Sequence, residues 1–390
     1  MESRRPTPFL PRIFENHLPR RICFGRGQIN NIVERCRELG HQRLFVVSDP
    51  GVRNAGLLEP TLGLLEKAGL LSGTYDRIAP EPLLEQIDEL GCVLRESQAD
   101  SVLALGGGSV MDATKVAAVL AKHSGSARDY LGIGKVPARG IPSILAPTTS
   151  GTGSEATFVA ILTDKATGNK VGVVSPHLLA DLAIVDPALT DRLPVEITAA
   201  TGMDAMVHAL EALIARVATP LARALSLQAA SHLGWALESV VKDPANEHAR
   251  DAMSLGSHLA GMAFANSSCC AVHALALPLG GRYSIPHGVI TGTFFGEVMR
   301  RNAKVCSRDL LLFCNALGWG DLSVEDFCNR LDSLAIVIGL QHALHRVNIN
   351  PKDIDAMAKD ACGNRRLMGP NPVELSEQDA ADVYRRVLRV

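Results

Sequence analysis

The chain has 390 residues, 47% of them hydrophobic and 21% charged, and Lys plus Arg at 39 against Asp plus Glu at 41 leaves a net charge of -2. That composition excludes a disordered chain, and the charge balance supplies no basic field for nucleic acid or an anionic membrane, so a small molecule is the expected partner. The length exceeds one ordinary core, and two domains are expected, 1–194 and 195–390. Nine cysteines without a CxxC pair read as reduced thiols in a cytoplasmic protein. No apolar run reaches membrane-spanning length, and Met1–Pro6 lacks the apolar core of a signal peptide.

In chain order, Arg21-Ile-Cys-Phe24 is a short apolar run ending in a glycine turn, and a helix follows through Leu39. Arg43-Leu-Phe-Val-Val is a buried-type strand stopped by Ser48-Asp49-Pro50. At that strand end Asp49 reads either as a ribose acceptor that repels a 2′-phosphate, favouring NAD over NADP, or as part of a plain turn. Helices are expected over Ala55–Ala68 and Pro82–Gln98, with strand and loop over Tyr75–Pro80 between them.

Ala99-Asp-Ser-Val-Leu-Ala-Leu105 is a continuous apolar strand of the parallel-sheet kind, and it runs into Gly106-Gly107-Gly108-Ser109 and a helix over Val110–Lys122. Strand, glycines, then helix is a geometry in which free backbone N–H groups meet a diphosphate. Ser109 and Asp112 also fit a Ser-x-x-Asp helix cap. After the strand Pro142–Ala146, the loop Pro147-Thr148-Thr149-Ser150-Gly151-Thr152-Gly153-Ser154-Glu155 offers hydroxyl donors for a nucleotide, or ordinary loop punctuation. Leu182–Pro187 gives one more strand, and the alternating pattern ends near Pro194.

From Val195 the pattern is helical: Ala199–Val217, Leu221–Lys242, Glu247–Phe264, Cys270–Leu279 and further helices to the end. Asp204 and His208, at i and i+4, project a carboxylate and an imidazole from one helix face. His273 and His287, separated by a Pro- and Gly-interrupted linker, complete a set that suits a divalent Lewis acid. Cys269 and Cys270 read as soft ligands or, because adjacent helical side chains point apart and cannot readily share an ion, as small packing residues.

Taken together, Phe24-Gly-Arg-Gly27, Gly106-Gly-Gly-Ser109 with Asp112 and Lys115, Pro147 through Glu155, Gly202-Met-Asp204 with His208, His273, and Pro286-His287-Gly288 resemble the iron-dependent (group III) alcohol dehydrogenases over nearly the whole chain. The resemblance implies an N-terminal α/β nucleotide-binding domain with a parallel sheet, an all-helical second domain, and a homodimer. It assigns divalent iron, with zinc as the alternative ion, to Asp204, His208, His273 and His287. It assigns NAD to Asp49, Gly106, Gly107, Gly108, Ser109, Asp112, Thr148, Thr149, Thr152 and Lys170. It implies hydride transfer between NAD(H) and a small alcohol or aldehyde.

Members of that family often carry a further histidine four residues after the third ligand; here Leu277 stands there, so proton transfer is left unassigned. Glu211 reads as a second-layer partner for a ligand or as a solvent-facing glutamate. Arg282, Arg365 and Arg366 read as anion-binding groups or as surface arginines. The alternative functions are a metal- and NAD-dependent lyase resembling dehydroquinate synthase, a hydroxyacid–oxoacid transhydrogenase, and a catalytically silent NAD-binding protein.

Overall fold

The structure is a computed structural model that describes residues 13–166 and 169–389, and Met1–Pro6 lies outside them. Strands and helices alternate first: β1 (Ile22–Phe24), α1 (Ile32–Leu39), β2 (Leu44–Val47), α2 (Pro50–Asn54), α3 (Leu58–Lys67), β3 (Leu71–Tyr75) and α4 (Leu84–Glu96). Then come β4 (Ser101–Gly106), α5 (Gly108–Lys122), β5 (Gly132–Ile133), β6 (Ser143–Pro147), β7 (Val159–Asp164), β8 (Asn169–Val174) and β9 (Leu182–Val185).

Six strands make one parallel sheet in the order β1-β9-β6-β4-β2-β3. Its central strands are apolar on both faces because helices cover both. Leu44 and Val46 pack with Ile32, Leu62 and Leu65 of α1 and α3 on one side. Phe45 and Val47 pack with Ile87, Leu90 and Val116 of α4 and α5 on the other. The chain leaves β2 outward to β3 and returns inward to β4, so strand order reverses between β2 and β4. In an open parallel sheet the crevice at the carboxyl ends of such a pair is where ligands bind.

Three features depart from the sequence reading. The strand expected near Tyr75–Pro80 is β3, which ends at Tyr75 and whose Leu71–Thr74 are only half-buried, so no clean apolar alternation marks it. A second sheet, β5-β8-β7, with β7 and β8 antiparallel, covers the cleft side of the first half and places Lys170 there. α5 starts at Gly108 with Gly107 as its N-cap, so Ser109 lies inside the helix; its hydroxyl donates to the Pro80 carbonyl and caps nothing.

The second half contains α6 (Val195–Ile214), α7 (Pro220–Lys242), α8 (Glu247–Ala265), α9 (Ala271–Tyr283) and α10 (His287–Ala316). It continues with α11 (Val324–Val337), α12 (Leu340–His345), α13 (Ile354–Gly363), α14 (Arg365–Met368) and α15 (Glu377–Leu388), and among the described residues no strand follows β9. Local chemistry sets the breaks: Thr219 caps α7 with Pro220 in its first turn, and Asn246 caps α8. The segment between His273 and His287 is not a linker, for α9 runs through Pro278 as far as Tyr283.

α6 is the central helix of the larger core, buried from Thr198 almost continuously to Ile214. Contrary to the sequence expectation, this one helix is long and apolar enough to cross a membrane, but 89% of its apolar window is buried inside the protein. Core helices of folded domains meet the same length and hydropathy criteria.

The two halves touch through backbone at Gly153 and Gly261. A Cβ on Gly261 would fall 2.5 Å from the Gly153 carbonyl oxygen, and one on Gly153 would fall 2.6 Å from Gly261 Cα. Ser150 and Ser254 hydroxyls meet beside them at 3.0 Å. Gly261→Ala is therefore expected to cost about 1–3 kcal/mol by overpacking, seen as a lower urea midpoint; an unchanged midpoint would show that the halves can move apart freely.

Candidate metal centre and cofactor cleft

Asp204, His208 and Glu211 follow one another along a single buried stripe of α6. The third residue of α9 is His273 and the first of α10 is His287, so two helix starts deliver imidazoles to that stripe. Asp204 Oδ1 lies 3.6 Å from His273 Nε2 and 3.8 Å from His287 Nε2, and Asp204 Oδ2 lies 3.8 Å from His208 Nδ1. Two donors each about 2.1 Å from one ion are at most about 4.2 Å apart, so the carboxylate and the two Nε2 atoms are spaced for a shared cation. The rings of His208 and His273 stack at 4.6 Å, with Phe264 stacked on His208 at 4.4 Å.

Hydrogen bonds fix which nitrogens are free. Glu211, fully buried, accepts from His273 Nδ1 at 2.6 Å and from the backbone N–H groups of Cys270 and Val272 at 2.8 and 2.7 Å. A carboxylate only accepts, so Nδ1 carries a proton, and Nε2 is the nitrogen left to face Asp204. That Nε2 is buried without a hydrogen-bond partner, an unmatched polar atom aimed at Asp204. His208 Nδ1 is held the same way by the Gly151 carbonyl at 3.3 Å, and Thr291 donates to Asp204 Oδ1 at 2.9 Å.

Burial opposes charge on each of these groups, but they stabilise one another. The three imidazoles hold the Asp204 carboxyl below its ordinary range. Asp204 and Cys269 hold His208 above its own, and Cys269 with Glu211 hold His273 well above. His287 keeps 31% of its side chain accessible, yet that surface faces the cleft, and burial lowers its imidazole to about 3. Cys269 lies with His208 and His273, their donor atoms all within 4.8 Å of one another. Burial pushes this thiol up, but the two imidazoles outweigh it and hold it at about 7.

These residues line a cleft of about 350 Å³ whose glycine-loop end includes Gly108, Ser109 and Thr152, while Lys170 lies near enough to His287 to act on it electrostatically. At that end the glycines work by leaving room. A Cβ on Gly108 would fall 2.8 Å from Thr152 Cγ2, and one on Gly107 would fall 3.4 Å from Thr149 Cγ2. The first N–H groups of α5 have no partner within the helix and open on this space. Asp112 is committed to the protein, accepting from Ile161 N at 2.8 Å and from Ser154 Oγ, while buried Lys115 donates to Ser154 and Thr157. This network fastens α5 to the Thr148–Glu155 loop. A larger groove, about 1170 Å³, includes none of the four candidate ligands and meets the cleft only at Lys170 and Leu277.

Residues 19–187 match the family described as iron-containing alcohol dehydrogenase, and residues 198–388 match that family's C-terminal region. The chain belongs to the iron-containing alcohol dehydrogenases. Long-chain-alcohol dehydrogenase 1 of Geobacillus thermodenitrificans is 35% identical over 369 residues, 92% of this chain and 93% of that relative. A crystal structure of 1,3-propanediol oxidoreductase superposes with a TM-score of 0.91 at 33% identity, covering 96% of this chain and all of that one. Sulfoacetaldehyde reductase of Bifidobacterium kashiwanohense, solved with NAD+, gives 0.89 at 29% identity, covering 97% and 99%.

Within this alcohol dehydrogenase fold the cleft wall unites Gly108, Ser109, Asp112, Thr152 and Lys170 with Asp204, His208, His273 and His287. Asp49, Gly106, Gly107, Thr148 and Thr149 are not part of that wall and stand beside it, at the carboxyl ends of β2, β4 and β6. Asp49 caps α2 through the Val52 N–H at 3.0 Å. Cys269 packs with Ala274 and Leu367, but it precedes α9, so the helical argument about adjacent side chains does not apply to it and its thiol also stands beside His208 and His273. The reading of Glu211 as solvent-facing fails on its burial. Thr291 gave no sequence signal; its position one turn after His287 on α10 was the only clue.

Proposed function

We propose that this protein transfers hydride between NAD(H) and a small alcohol or aldehyde at the junction of the glycine loop and the four-residue cluster. The observation that carries the reading is the buried, unpartnered Nε2 of His273 facing Asp204. Asp204, His208, His273 and His287 would hold a divalent ion, which when bound polarises the substrate oxygen. Ferrous iron is the family's ion; zinc is the second candidate, since such donors bind it tightly and Cys269 adds a soft atom nearby.

The chain's own groups orient the reactants. The N-terminus of α5, with Thr149 and Thr152, faces a diphosphate, and Asp49 at the end of β2 favours NAD over NADP. Glu211 and the Gly151 carbonyl keep the Nδ1 protons in place and leave the opposite nitrogens free. Phe264 and Leu277 give the metal end an apolar wall that excludes water. Our reading includes a cytoplasmic homodimer with no nucleic-acid or membrane partner.

Protein loaded anaerobically with ferrous iron is expected to oxidise NADH with small aldehydes, with one NADH consumed per alcohol formed, and chelation should abolish this. Full activity in metal-free protein, or turnover without net NADH consumption, would overturn the reading.

A further inference from the structure

Arg366 lines the same cleft as the four candidate ligands, on the wall formed by Cys269, Leu277 and Leu367. Its neighbour Leu367 packs into a small apolar cluster with Cys269 and Ala274, against which Phe264, Leu277 and Met368 lie. That cluster fixes α14 against α9 and so holds Arg366 beside Cys269 in the cleft.

Among the described residues Arg366 has neither an ion pair nor a hydrogen bond. Of the other cations around the cleft and groove, Lys170 is paired with Glu81 at 3.0 Å, Arg282 with Asp360 at 2.6 Å, and Arg216 donates to the Pro372 carbonyl, while Lys359 and Arg365 line the groove and not the cleft. The acids that reach the cleft are occupied as well. Asp204 is engaged with Thr291 and the imidazoles, and Asp112 with Ile161 and Ser154. The side chain of Arg366 is exposed and borders the cleft, where desolvation pulls its pKa below the ordinary arginine value against the opposing effect of the Cys269 thiol. A guanidinium stays charged in such a place, and donors with no protein partner at the cleft are open to an anionic ligand. Its planar fork matches carboxylate, sulfonate or phosphonate through two parallel hydrogen bonds.

We infer that Arg366 is a specificity-determining residue and that the substrate is an aldehyde bearing an anionic group, seated on this guanidinium while the carbonyl faces the Asp204 cluster. This rests on the hydride-transfer reading above, and the test separates the two.

Metal-loaded protein with NADH is to be assayed on two pairs of matched chain length, acetaldehyde against glyoxylate and butanal against 4-oxobutanoate. The expected result is a preference for the anion in at least one pair. In Arg366→Gln the KM for that anion should rise about 10- to 100-fold, the loss typical of a charge-assisted hydrogen bond, with a smaller change in kcat. Arg366→Lys, which keeps the charge and loses the fork, should fall between. A wild-type preference for the neutral partner in both pairs, or an anion-to-neutral ratio unmoved by Arg366→Gln, overturns the inference.

Calorimetric titration of the NAD-bound protein with 4-hydroxybutanoate and with glycolate decides the question without turnover. Binding of either anion to wild type, weakened about tenfold or more in Arg366→Gln, supports it even where hydride transfer is not detected. Absence of binding by both anions, or equal binding to both proteins, rejects it even where neutral aldehydes are reduced.

Discussion

His273→Ala is expected to remove the divalent ion and the turnover together. The side chain faces two ways: its Nε2 points at Asp204 across 3.6 Å, and its Nδ1–H is held by Glu211 at 2.6 Å. Alanine therefore deletes a donor from the cluster and leaves the fully buried Glu211 carboxylate with only the Cys270 and Val272 amides. Lewis-acid polarisation is worth several kcal/mol of barrier, and each 1.36 kcal/mol is tenfold, so kcat/KM should fall by about 10³-fold or more. Elemental analysis of the same sample should show the ion reduced to a small fraction of the wild-type content, with the far-ultraviolet dichroism of a helical protein retained. An alanine variant with full metal and full turnover would exclude His273 from the centre.

The second large effect is expected at Glu211, which acts through His273 and is a positioning residue. Glutamine has nearly the same shape, but its single oxygen, placed where Oε2 accepts from Nδ1–H and the Cys270 amide, turns an NH2 group on the Val272 N–H, and the carboxylate charge that strengthens the bond to the imidazole is lost. Outer-layer partners of a metal-bound imidazole typically contribute 10- to 100-fold in affinity, and Glu211→Gln should weaken metal binding by about that factor in competition with a chelator. Glu211→Ala should go further, because the buried donors left unmatched cost about 1–3 kcal/mol each, and a lowered melting midpoint should accompany the lost affinity. If both variants bind metal as wild type does, the hydrogen bond at 2.6 Å does not position the imidazole.

Much of this arrangement was legible in the chain because it is written in local spacing. The runs 44–47 and 101–105 read as strands since both faces are buried, and Asp204 with His208 reads as one helix face because i and i+4 align. What escaped depends on contacts remote in sequence. Glu211 acquires its role only when the start of α9 arrives to be capped, and Arg366 acquires its interest from the acids that fail to reach it. The three-stranded sheet escapes that reading because β5 is two residues long and β7 and β8 form an antiparallel pair that stands outside the alternating strand–helix order. The helix expected to end at Leu279 continues to Tyr283, since Pro278 removes only one N–H within α9 and Gly280 and Gly281 do not stop it.

The two sides of the metal end are built into different parts of the protein. Asp204, His208 and Glu211 stand on the helix around which the large core is assembled, so changing that helix disturbs the whole second half. The opposite wall, with Cys269, Leu277 and the segment carrying Arg366, belongs to a small satellite cluster with few members. Substitutions there alter the shape and charge offered to a substrate while touching little that folding depends on. Such a division lets the reaction stay fixed while the range of molecules admitted to it drifts.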